Sequence, residues 1–452
     1  MKIKFALLKL GVLVLALAAV NSLAADNPVS ANNGQGARMA WWREARFGLF
    51  IHYGPVALTG KEISWSRANS NPKCPNNGPT PVEVYDNLYK QFNPTNFNAA
   101  EWADAAKTAG MKYVVLTAKH CDGFLLWDSK ADRYNIMHTP FQRDLCGELA
   151  QAVRQDGLHM GWYFSPMDWR DSDCRSQNND RFVTHMQDEL HELLANYGKI
   201  DVVWFDSDGH SAEWHPETTY PLVRGLQPQI IINNRLEMGS VGAWQNQGNL
   251  RTNEDFYTPE QRVGAYDDQR PWETCMTLGT QWSWKPNDKI KSPADVVDIL
   301  CRTVGGDGNL LLDVGPMPDG RIEPRQVAVL KQVGAWMDTN GESIYGTCGG
   351  PWKPMAQITS TRKGNVVYVH ILKATGDTIE LPALARHILS ASVLGGDGVK
   401  AEVVDGKYLL HLPEKRDPLA TVIKLELDGS AMEIPAVTLP APKSAQHSQT
   451  RG

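Results

Sequence analysis

A unit made of a helical face, a glycine and an apolar run recurs through the middle of the chain. Apolar side chains within residues 102–109 follow the spacing i, i+3, i+4, i+7 of one helical face, and Gly110 ends the segment. The apolar run 111–117 comes next and leads into a polar cluster that contains His120. This order predicts a helix followed by a buried strand, with polar side chains at the carboxyl end of the strand.

The return of this unit predicts a parallel sheet with connecting helices. Across roughly 300 residues there are about eight strand candidates, the number needed for a (β/α)8 barrel. Besides 111–117, the clearest apolar runs lie at 47–54, 159–165, 199–205, 229–235 and 309–316. An open doubly wound sheet is the alternative, but no G-x-G-x-x-G follows a first strand. We therefore predict an α/β fold with a (β/α)8-like catalytic domain at 26–350.

The pattern changes after Gly346 to short, often alternating apolar runs separated by Gly, Pro and Asp. These runs lie at 365–372, 378–382, 388–395, 400–405, 407–413 and 421–427. Period-two alternation with turn residues between the runs predicts a small antiparallel β-sandwich, which we place at 351–437. The polar residues 438–452 are expected to be a disordered tail.

The N-terminus has the composition of a secretory signal peptide. Lys2, Lys4 and Lys9 precede an apolar stretch, and small residues follow at Ala24 and Ala25. The stretch is shorter than the ~20 residues that a membrane span needs. We expect residues 1–25 to be removed and the protein to be exported, either to the periplasm or as a secreted protein, with no membrane attachment after cleavage.

Composition and charge exclude several classes of protein. The chain is 42% hydrophobic and 21% charged, which is ordinary for a globular protein, and its formal net charge is −6. Without a basic block, we expect no nucleic-acid partner. The seven cysteines are irregularly spaced and include no C-x-x-C pair, which argues against a zinc site.

Carboxylates at strand ends are the first candidates for chemistry. Asp206 and Asp208 follow the apolar run 199–205, where a barrel has its active face. A retaining glycoside hydrolase needs two carboxyl groups about 5–5.5 Å apart. Asp206 could also be a helix cap, and the second carboxyl group could come from any of four acids on later segments. These four acids are Glu254, Asp255, Glu260 and Glu273.

Rings at the strand ends are candidates for substrate contact. His52 and His120 both follow apolar runs, and Trp204 shares the strand face of Asp206 if the residues alternate. Trp65 lies in a loop, where contact with a ligand is more common than in a core. Barrel enzymes that bind a metal through H-x-H on the first strand would need a second histidine at Gly54, so we expect no metal.

A set of ordered motifs between residues 41 and 346 resembles the α-L-fucosidases of glycoside hydrolase family 29. The motifs are WWREARFGLFIHYGPVAL, LTAKHCDGFLLWDSK, GWYFSPMDW, VVWFD, INNR, TPEQ, WETCMT and GGDGNLLLDVGPMPDGRI. Each motif alone is weak, whereas their order makes the resemblance specific. The resemblance implies a retaining exo-glycosidase on a (β/α)8-like barrel with a C-terminal β-sandwich.

The resemblance also implies a role for individual residues. Asp206 matches the nucleophile of the family, and Glu260 matches the acid/base in a T-x-E segment, with Glu273 as the alternative. An apolar setting would allow Glu260 to carry the proton that it gives to the leaving oxygen. The implied substrate-binding residues are His52, Trp65, His120, Tyr163, Trp204, Arg235 and Glu273.

Two departures from the family pattern concern sugar recognition. Cys121 follows His120 where many relatives have a second histidine. Ser64 precedes Trp65 where many have a glutamate, so that a carboxylate is either missing or supplied by Glu62. Neither change touches Asp206, so the expected reaction stays the same.

We therefore expect a retaining exo-α-L-fucosidase that acts on fucosylated oligosaccharides or glycoconjugates and needs no cofactor. Two alternatives are a retaining hydrolase for α-L-galactosides and an exported sugar-binding protein without turnover. The sequence does not give the oligomeric state.

Overall fold

The computed structural model describes residues 35–71, 77–208, 211–237, 250–373 and 376–439. The predicted signal peptide lies outside the described residues, as does most of the predicted tail. None of the helices in these ranges is long and apolar enough to cross a membrane.

Seven parallel strands form the main sheet, in the order β5-β4-β3-β2-β1-β7-β6. The strands are β1 (Phe47–Ile51), β2 (Tyr113–Lys119), β3 (His159–Phe164), β4 (Val202–Phe205), β5 (Ile231–Ile232), β6 (Glu273–Thr277) and β7 (Asn309–Val314). Almost every residue in them is buried, as expected for parallel strands that are covered on both faces.

The segment 255–261 lies between β5 and β6 and closes the sheet into a ring. Its Phe256 forms a parallel bridge with Asn233 after β5, and Glu260 forms one with Cys275 in β6. Pro259 cannot donate a backbone hydrogen bond, which explains why this eighth segment is irregular. The predicted barrel is therefore confirmed, with one of its eight strands reduced to isolated bridges.

Eight α-helices occur in the described part of the chain. They are α1 (Gln35–Ala45), α2 (Val82–Tyr85), α3 (Ala99–Thr108), α4 (Leu145–Gln155), α5 (Asn179–Ala195), α6 (Pro216–Leu226), α7 (Pro293–Gly305) and α8 (Pro324–Asn340). The Asn98 side chain caps α3 by accepting a bond from the backbone N–H of Ala100. Gly110, predicted to end its helix, has a positive φ, as do Gly157 after α4 and Gly198 after α5.

Two cores lie on opposite sides of the barrel wall. The larger one joins the outer faces of the strands to the surrounding helices. The smaller one fills the interior of the barrel with side chains such as Phe50, Tyr113 and Trp204. Trp42 of α1 belongs to this interior core and contacts Glu273 and Asn309, the first residues of β6 and β7. Helix α1 therefore lies against the end of the barrel opposite the carboxyl ends of the strands.

The C-terminal region contains two antiparallel sheets, which confirms the predicted antiparallel strands. The strands are β8 (Cys348–Gly349), β9 (Ile358–Lys363), β10 (Val366–Ile371), β11 (Thr378–Pro382), β12 (Ile388–Val393), β13 (Ala401–Val404), β14 (Lys407–His411) and β15 (Thr421–Leu427). Their orders are β12-β15-β10-β9-β8 and β11-β14-β13. Trp352, Val367, Leu381 and Leu410 share one core between the sheets.

Leu439 also belongs to that core, although it was expected in the disordered tail. Its apolar side chain is buried, so the ordered chain extends to at least this residue. The predicted boundary near residue 350 stays a prediction.

Candidate active site

Six polar side chains come from the carboxyl ends of consecutive barrel segments, and we call this group the upper rim. They are His52 after β1, His120 after β2, Tyr163 in β3, Asp206 after β4, Arg235 after β5, and Glu260 in the closing segment. Because the carboxyl ends of parallel strands meet at one face of a barrel, the fold brings together residues that are up to 208 positions apart.

Asp206 accepts a hydrogen bond on each carboxylate oxygen. Its Oδ1 accepts from Arg235 Nη1 at 2.8 Å, and its Oδ2 accepts from the Tyr163 hydroxyl at 2.8 Å. Burial raises the pKa of Tyr163 well above 10, so the phenol keeps its proton and remains a donor. The Asp206 side chain is 26% exposed, which leaves one side of the carboxylate open to solvent.

Glu260 meets Asp206 through the same guanidinium nitrogen. Arg235 Nη1 lies 2.9 Å from Glu260 Oε2 and 2.8 Å from Asp206 Oδ1. The sum of these distances, 5.7 Å, is the upper limit for the separation of the two carboxylate oxygens. This limit is compatible with the separation of about 5–5.5 Å between the two carboxyl groups of retaining glycosidases. The expected apolar setting of Glu260 is wrong, because a cation contacts its carboxylate and a quarter of the side chain is exposed.

Arg235 is itself held in place by the barrel. Its Nε donates to Thr258 Oγ1 at 2.7 Å, and its guanidinium lies 4.5 Å from the centre of the Trp204 ring. Burial alone would lower the pKa of Arg235, but the carboxylates of Asp206 and Glu260 more than offset burial and raise it. Arg235 is therefore a fixed cation between the two acids.

His52 and His120 are both neutral near pH 7. Burial lowers the pKa of His52 to about 4 and that of His120 to about 3. His52 Nδ1 lies 2.6 Å from Asp313 Oδ1, a bond that fixes the orientation of the ring. Asp313 is not among the residues predicted from the sequence, although its position two residues after the interior Leu311 of β7 places it on the same strand face.

Ser64, one of the two departures from the family pattern, fixes the ring of His120. Its Oγ lies 2.6 Å from His120 Nδ1 and accepts from the backbone N–H of Asp122. Both hydrogen bonds form, and the hydroxyl proton has an acceptor, if the Ser64 hydroxyl donates to Nδ1 of His120. The imidazole proton then lies on Nε2. Cys121, the other departure, lies 3.2 Å from Ser165 Oγ, and burial raises the pKa of its thiol.

Glu62, which could have supplied the missing carboxylate, is bonded to the backbone of a neighbouring loop. Its carboxylate accepts from the backbone N–H groups of Trp282 and Ser283 at 3.0 and 3.2 Å. These bonds fix the loop that carries Trp282, whose ring centre lies 4.8 Å from that of His52. Glu62 thus positions an indole beside the upper rim.

Three predicted substrate contacts are not among the six side chains of the upper rim. Trp65 is 45% exposed and packs edge-on against Trp169. Trp204 is 1% exposed and is covered by Arg235, so its face is not available to a sugar in this structure. Glu273 is 1% exposed at the opposite end of the barrel interior, because it is the first residue of β6. Its burial argues against both of its predicted roles, as acid/base and as substrate contact.

The other two acidic candidates are engaged outside the upper rim. Asp255 is buried and pairs with Arg38 and Arg224, each at 2.7 Å. Glu254 is buried and accepts from the backbone N–H of Arg251 at 2.8 Å. The geometry therefore leaves Glu260 as the partner of Asp206.

One group of described side chains has the spacing of a metal site, but its charges are already balanced. Ligand atoms of Asp132, His185 and Glu189 lie within 4.8 Å of one another. However, Lys119 Nζ lies 2.6 Å from Glu189, and the contact with Asp171 raises the pKa of His185 to about 9. The Lys119 ammonium and the protonated His185 ring would therefore repel a divalent ion.

A parallel barrel with two carboxyl groups at this separation on its upper rim is typical of the retaining glycoside hydrolases. The sequence model of one such family, Alpha-L-fucosidase, matches residues 15–342. The chain belongs to this family, which confirms the resemblance seen in the motifs.

Curated relatives and solved structures agree with this assignment. Plasma alpha-L-fucosidase of Homo sapiens is 31% identical over 437 residues, which cover 88% of this chain and 86% of the relative. The structure of alpha-L-fucosidase isoenzyme 1 from Paenibacillus thiaminolyticus is 33% identical, with a TM-score of 0.77 over 88% of this chain and 100% of that one. A trapped covalent intermediate of the Bacteroides thetaiotaomicron enzyme with 2-fluoro-fucosyl fluoride is 26% identical, with a TM-score of 0.76 over 88% and 98%.

Proposed function

We propose that the protein is a retaining exo-α-L-fucosidase that removes terminal α-L-fucosyl residues from glycans. The observation that carries this proposal is the contact of one nitrogen, Arg235 Nη1, with both Asp206 and Glu260. This contact limits the separation of Asp206 Oδ1 and Glu260 Oε2 to a value that suits double displacement and lies below the range typical of inverting enzymes.

In the first step, Asp206 attacks the anomeric carbon and forms a glycosyl ester. The bond from that carbon to the glycosidic oxygen breaks, and Glu260 gives its proton to the leaving oxygen. In the second step, Glu260 takes a proton from water, and the water oxygen attacks the same carbon. The ester bond breaks, Asp206 regains its charge, and fucose leaves with retained configuration.

Arg235 suits this sequence because it contacts both acids. During the first step the negative charge passes from Asp206, which becomes an ester, to Glu260, which loses its proton. The total charge of the pair stays the same, so a cation that contacts both oxygens stabilises the pair at each stage without moving.

The neutral rings at the upper rim supply hydrogen bonds to the sugar. His120, with its proton on Nε2, offers a donor, and His52 is oriented for the same purpose by Asp313. Trp282 offers an apolar face next to His52. Such groups match the hydroxyls and the methyl group of a 6-deoxysugar.

The azide products of two variants test the roles of the carboxyl groups. With an aryl α-L-fucoside, Asp206→Ala should lower kcat/KM by more than about 10³-fold, and azide should then give the inverted β-fucosyl azide. Glu260→Ala should yield the retained α-fucosyl azide, because azide attacks the intact glycosyl ester. Asp208→Asn is the matched control, since Asp208 pairs with Arg175 and not with Arg235. Near-normal hydrolysis by Asp206→Ala would contradict the proposal, and a panel of aryl glycosides that includes the α-L-galactoside tests the sugar.

We further propose that the protein is exported and that the C-terminal sheets brace the barrel. Lys2, Lys4 and Lys9 before the apolar stretch support export, which the mass of the mature N-terminus would test. The bond from Trp336 Nε1 in α8 to the Ala420 carbonyl, at 2.9 Å, supports bracing.

A further inference from the structure

Glu273 is a buried carboxyl group that the proposed mechanism does not use. It begins β6 and pairs in register with Asn309, which begins β7. The side chain therefore lies in the lowest layer of the barrel interior, with 1% exposure. We call Glu273 and the three side chains that bond to it, Trp42, Tyr113 and Trp204, the lower cluster.

Three neutral donors satisfy the Glu273 carboxyl group. Oε2 accepts from Trp42 Nε1 at 3.2 Å and from the Tyr113 hydroxyl at 2.5 Å, and Oε1 accepts from Trp204 Nε1 at 3.0 Å. An indole N–H can only donate, so two of the three partners require an acceptor at a fixed place. A glutamine would turn its amide NH2 toward one of the two indoles, and therefore only a carboxyl group satisfies both.

Gly48 of β1 has no side chain, and the ring of Tyr113 occupies the space beside it. A Cβ at Gly48 would lie 2.4 Å from the ring of Tyr113, so no larger residue fits unless that ring moves. Burial raises the pKa of Glu273 to about 7, which shows that the site disfavours the charged form. Apolar residues of similar volume often stabilise a core as well as buried polar groups do, so stability alone does not explain Glu273.

Trp204 connects the lower cluster to the upper rim. Its Nε1 donates to Glu273, while its ring lies 4.5 Å from the guanidinium carbon of Arg235 and stacks at 5.6 Å on Tyr163. Arg235 and Tyr163 are the two residues that donate to the Asp206 carboxylate within the described part of the chain. A rotation of the indole would thus displace both donors.

We propose that Glu273 is a positioning residue: it fixes the Trp204 indole and thereby the Arg235 guanidinium that contacts Asp206 and Glu260. The inference rests on the proposed function, because it assigns Glu273 a part in the same reaction.

Four single variants and one double variant test this connection, with kcat expressed per active site. Trapping with 2-fluoro-fucosyl fluoride, followed by intact mass, counts the folded sites, so that partial unfolding does not lower the normalised kcat. Glu273→Leu and Trp204→Phe should each lower kcat about tenfold or more and change KM less than threefold, because both remove the bond that fixes the indole under Arg235, and Arg235 contacts the two reacting carboxyl groups. Glu273→Leu fills the space without any acceptor, whereas Glu273→Gln can keep its amide oxygen on Trp204, so Glu273→Gln should lose less activity than Glu273→Leu.

Trp42→Phe is the matched control. It removes the same kind of donor from the same carboxyl group, but Trp42 lies on α1 and has no contact with Arg235 in the described structure. We expect its kcat to stay within threefold of the wild type. The double variant Glu273→Leu with Trp204→Phe should be no slower than the slower single variant, since both changes act through one contact.

Three results would overturn the inference: equal losses in Trp42→Phe and Trp204→Phe, multiplied losses in the double variant, or a normal kcat in Glu273→Leu. The proposed function fails separately, through activity in Asp206→Ala. The two ideas can therefore be rejected independently.

Discussion

The two ends of the barrel interior both hold carboxyl groups, but in opposite ways. At the upper rim, Asp206 and Glu260 share the cation Arg235 and are each about a quarter exposed. In the lower cluster, Glu273 is bonded by two indoles and a phenol and is closed to solvent. The same functional group is thus paired with a charge at one end and with neutral donors at the other.

This difference follows from what the groups have to do. At the upper rim, a proton and a glycosyl group pass to and from the acids, so the negative charge must be free to change its place. A cation in contact with both acids permits this exchange, and openness admits the sugar. In the lower cluster, no group is transferred, and fixed neutral donors hold one side chain in one orientation. The residue type alone therefore does not identify a catalytic acid, whereas the identity of its partners does.

Replacement of Arg235 should show most clearly that the two acids of the upper rim depend on a shared cation. Arg235→Met would leave Asp206 and Glu260 close together without a cation, and we expect kcat to fall by about 10² to 10³-fold. Arg235→Lys keeps the charge but lacks the flat guanidinium that lies over Trp204. Its kcat should therefore lie between that of Arg235→Met and that of the wild type. Steady-state kinetics with an aryl fucoside would measure both, with thermal unfolding as the control for folding. If Arg235→Met stays within tenfold of the wild type, the shared cation is not important for the reaction.

The stability of the protein against pH should separate the lower cluster from the upper rim. Burial raises the pKa of Glu273 from 4.5 to about 7, so between these values the folded state binds a proton that the unfolded state has lost. The contribution of Glu273 to stability is then present below pH 4.5 and is lost as pH rises toward 8, by about 3 kcal/mol.

Chemical denaturation of the wild type and Glu273→Leu at pH 4.5 and 8 would measure this effect. The free energy of unfolding of the wild type should fall relative to that of the variant as pH rises. Burial also raises the pKa of Glu254 to about 7, but this group is present in both proteins and cancels in the comparison. An equal pH dependence in the two proteins would show that Glu273 is solvated well enough to titrate normally.

The sequence predicted the barrel well because its strands are apolar on both faces. The runs that became β1, β2, β3, β4 and β7 could be read directly from their composition. Segment 255–261 could not be recognised as a strand from its composition, because Pro259 interrupts its pairing and its polar residues resemble a loop. This gap matters, because the missed segment carries Glu260.

The roles of the acids were harder to predict than the strands. Asp206 was found because an acid directly after an apolar run is an unusual pattern. The sequence could not show that Glu273 begins its strand and lies far from the carboxyl ends, because strand ends depend on register. Trp204 was placed correctly on the face of Asp206, but the sequence does not show that Arg235, 31 positions later, covers it. Contacts between distant segments decide both cases.

The smallest expected loss of activity comes from Ser64. Its hydroxyl is a neutral donor that orients a side chain of the upper rim, as the neutral donors of the lower cluster orient Glu273. Removal of the bond from Ser64 Oγ to His120 Nδ1 leaves the imidazole free to place its proton on either nitrogen. At about 1 kcal/mol for a neutral hydrogen bond, Ser64→Ala should lower kcat/KM about fivefold. Ser66→Ala is the matched control, because Ser66 is also buried, two residues away, and its hydroxyl has no partner among the described residues. If the two variants lose the same activity, Ser64 acts by filling space, and the orientation of His120 depends on its stacking against Tyr163 instead.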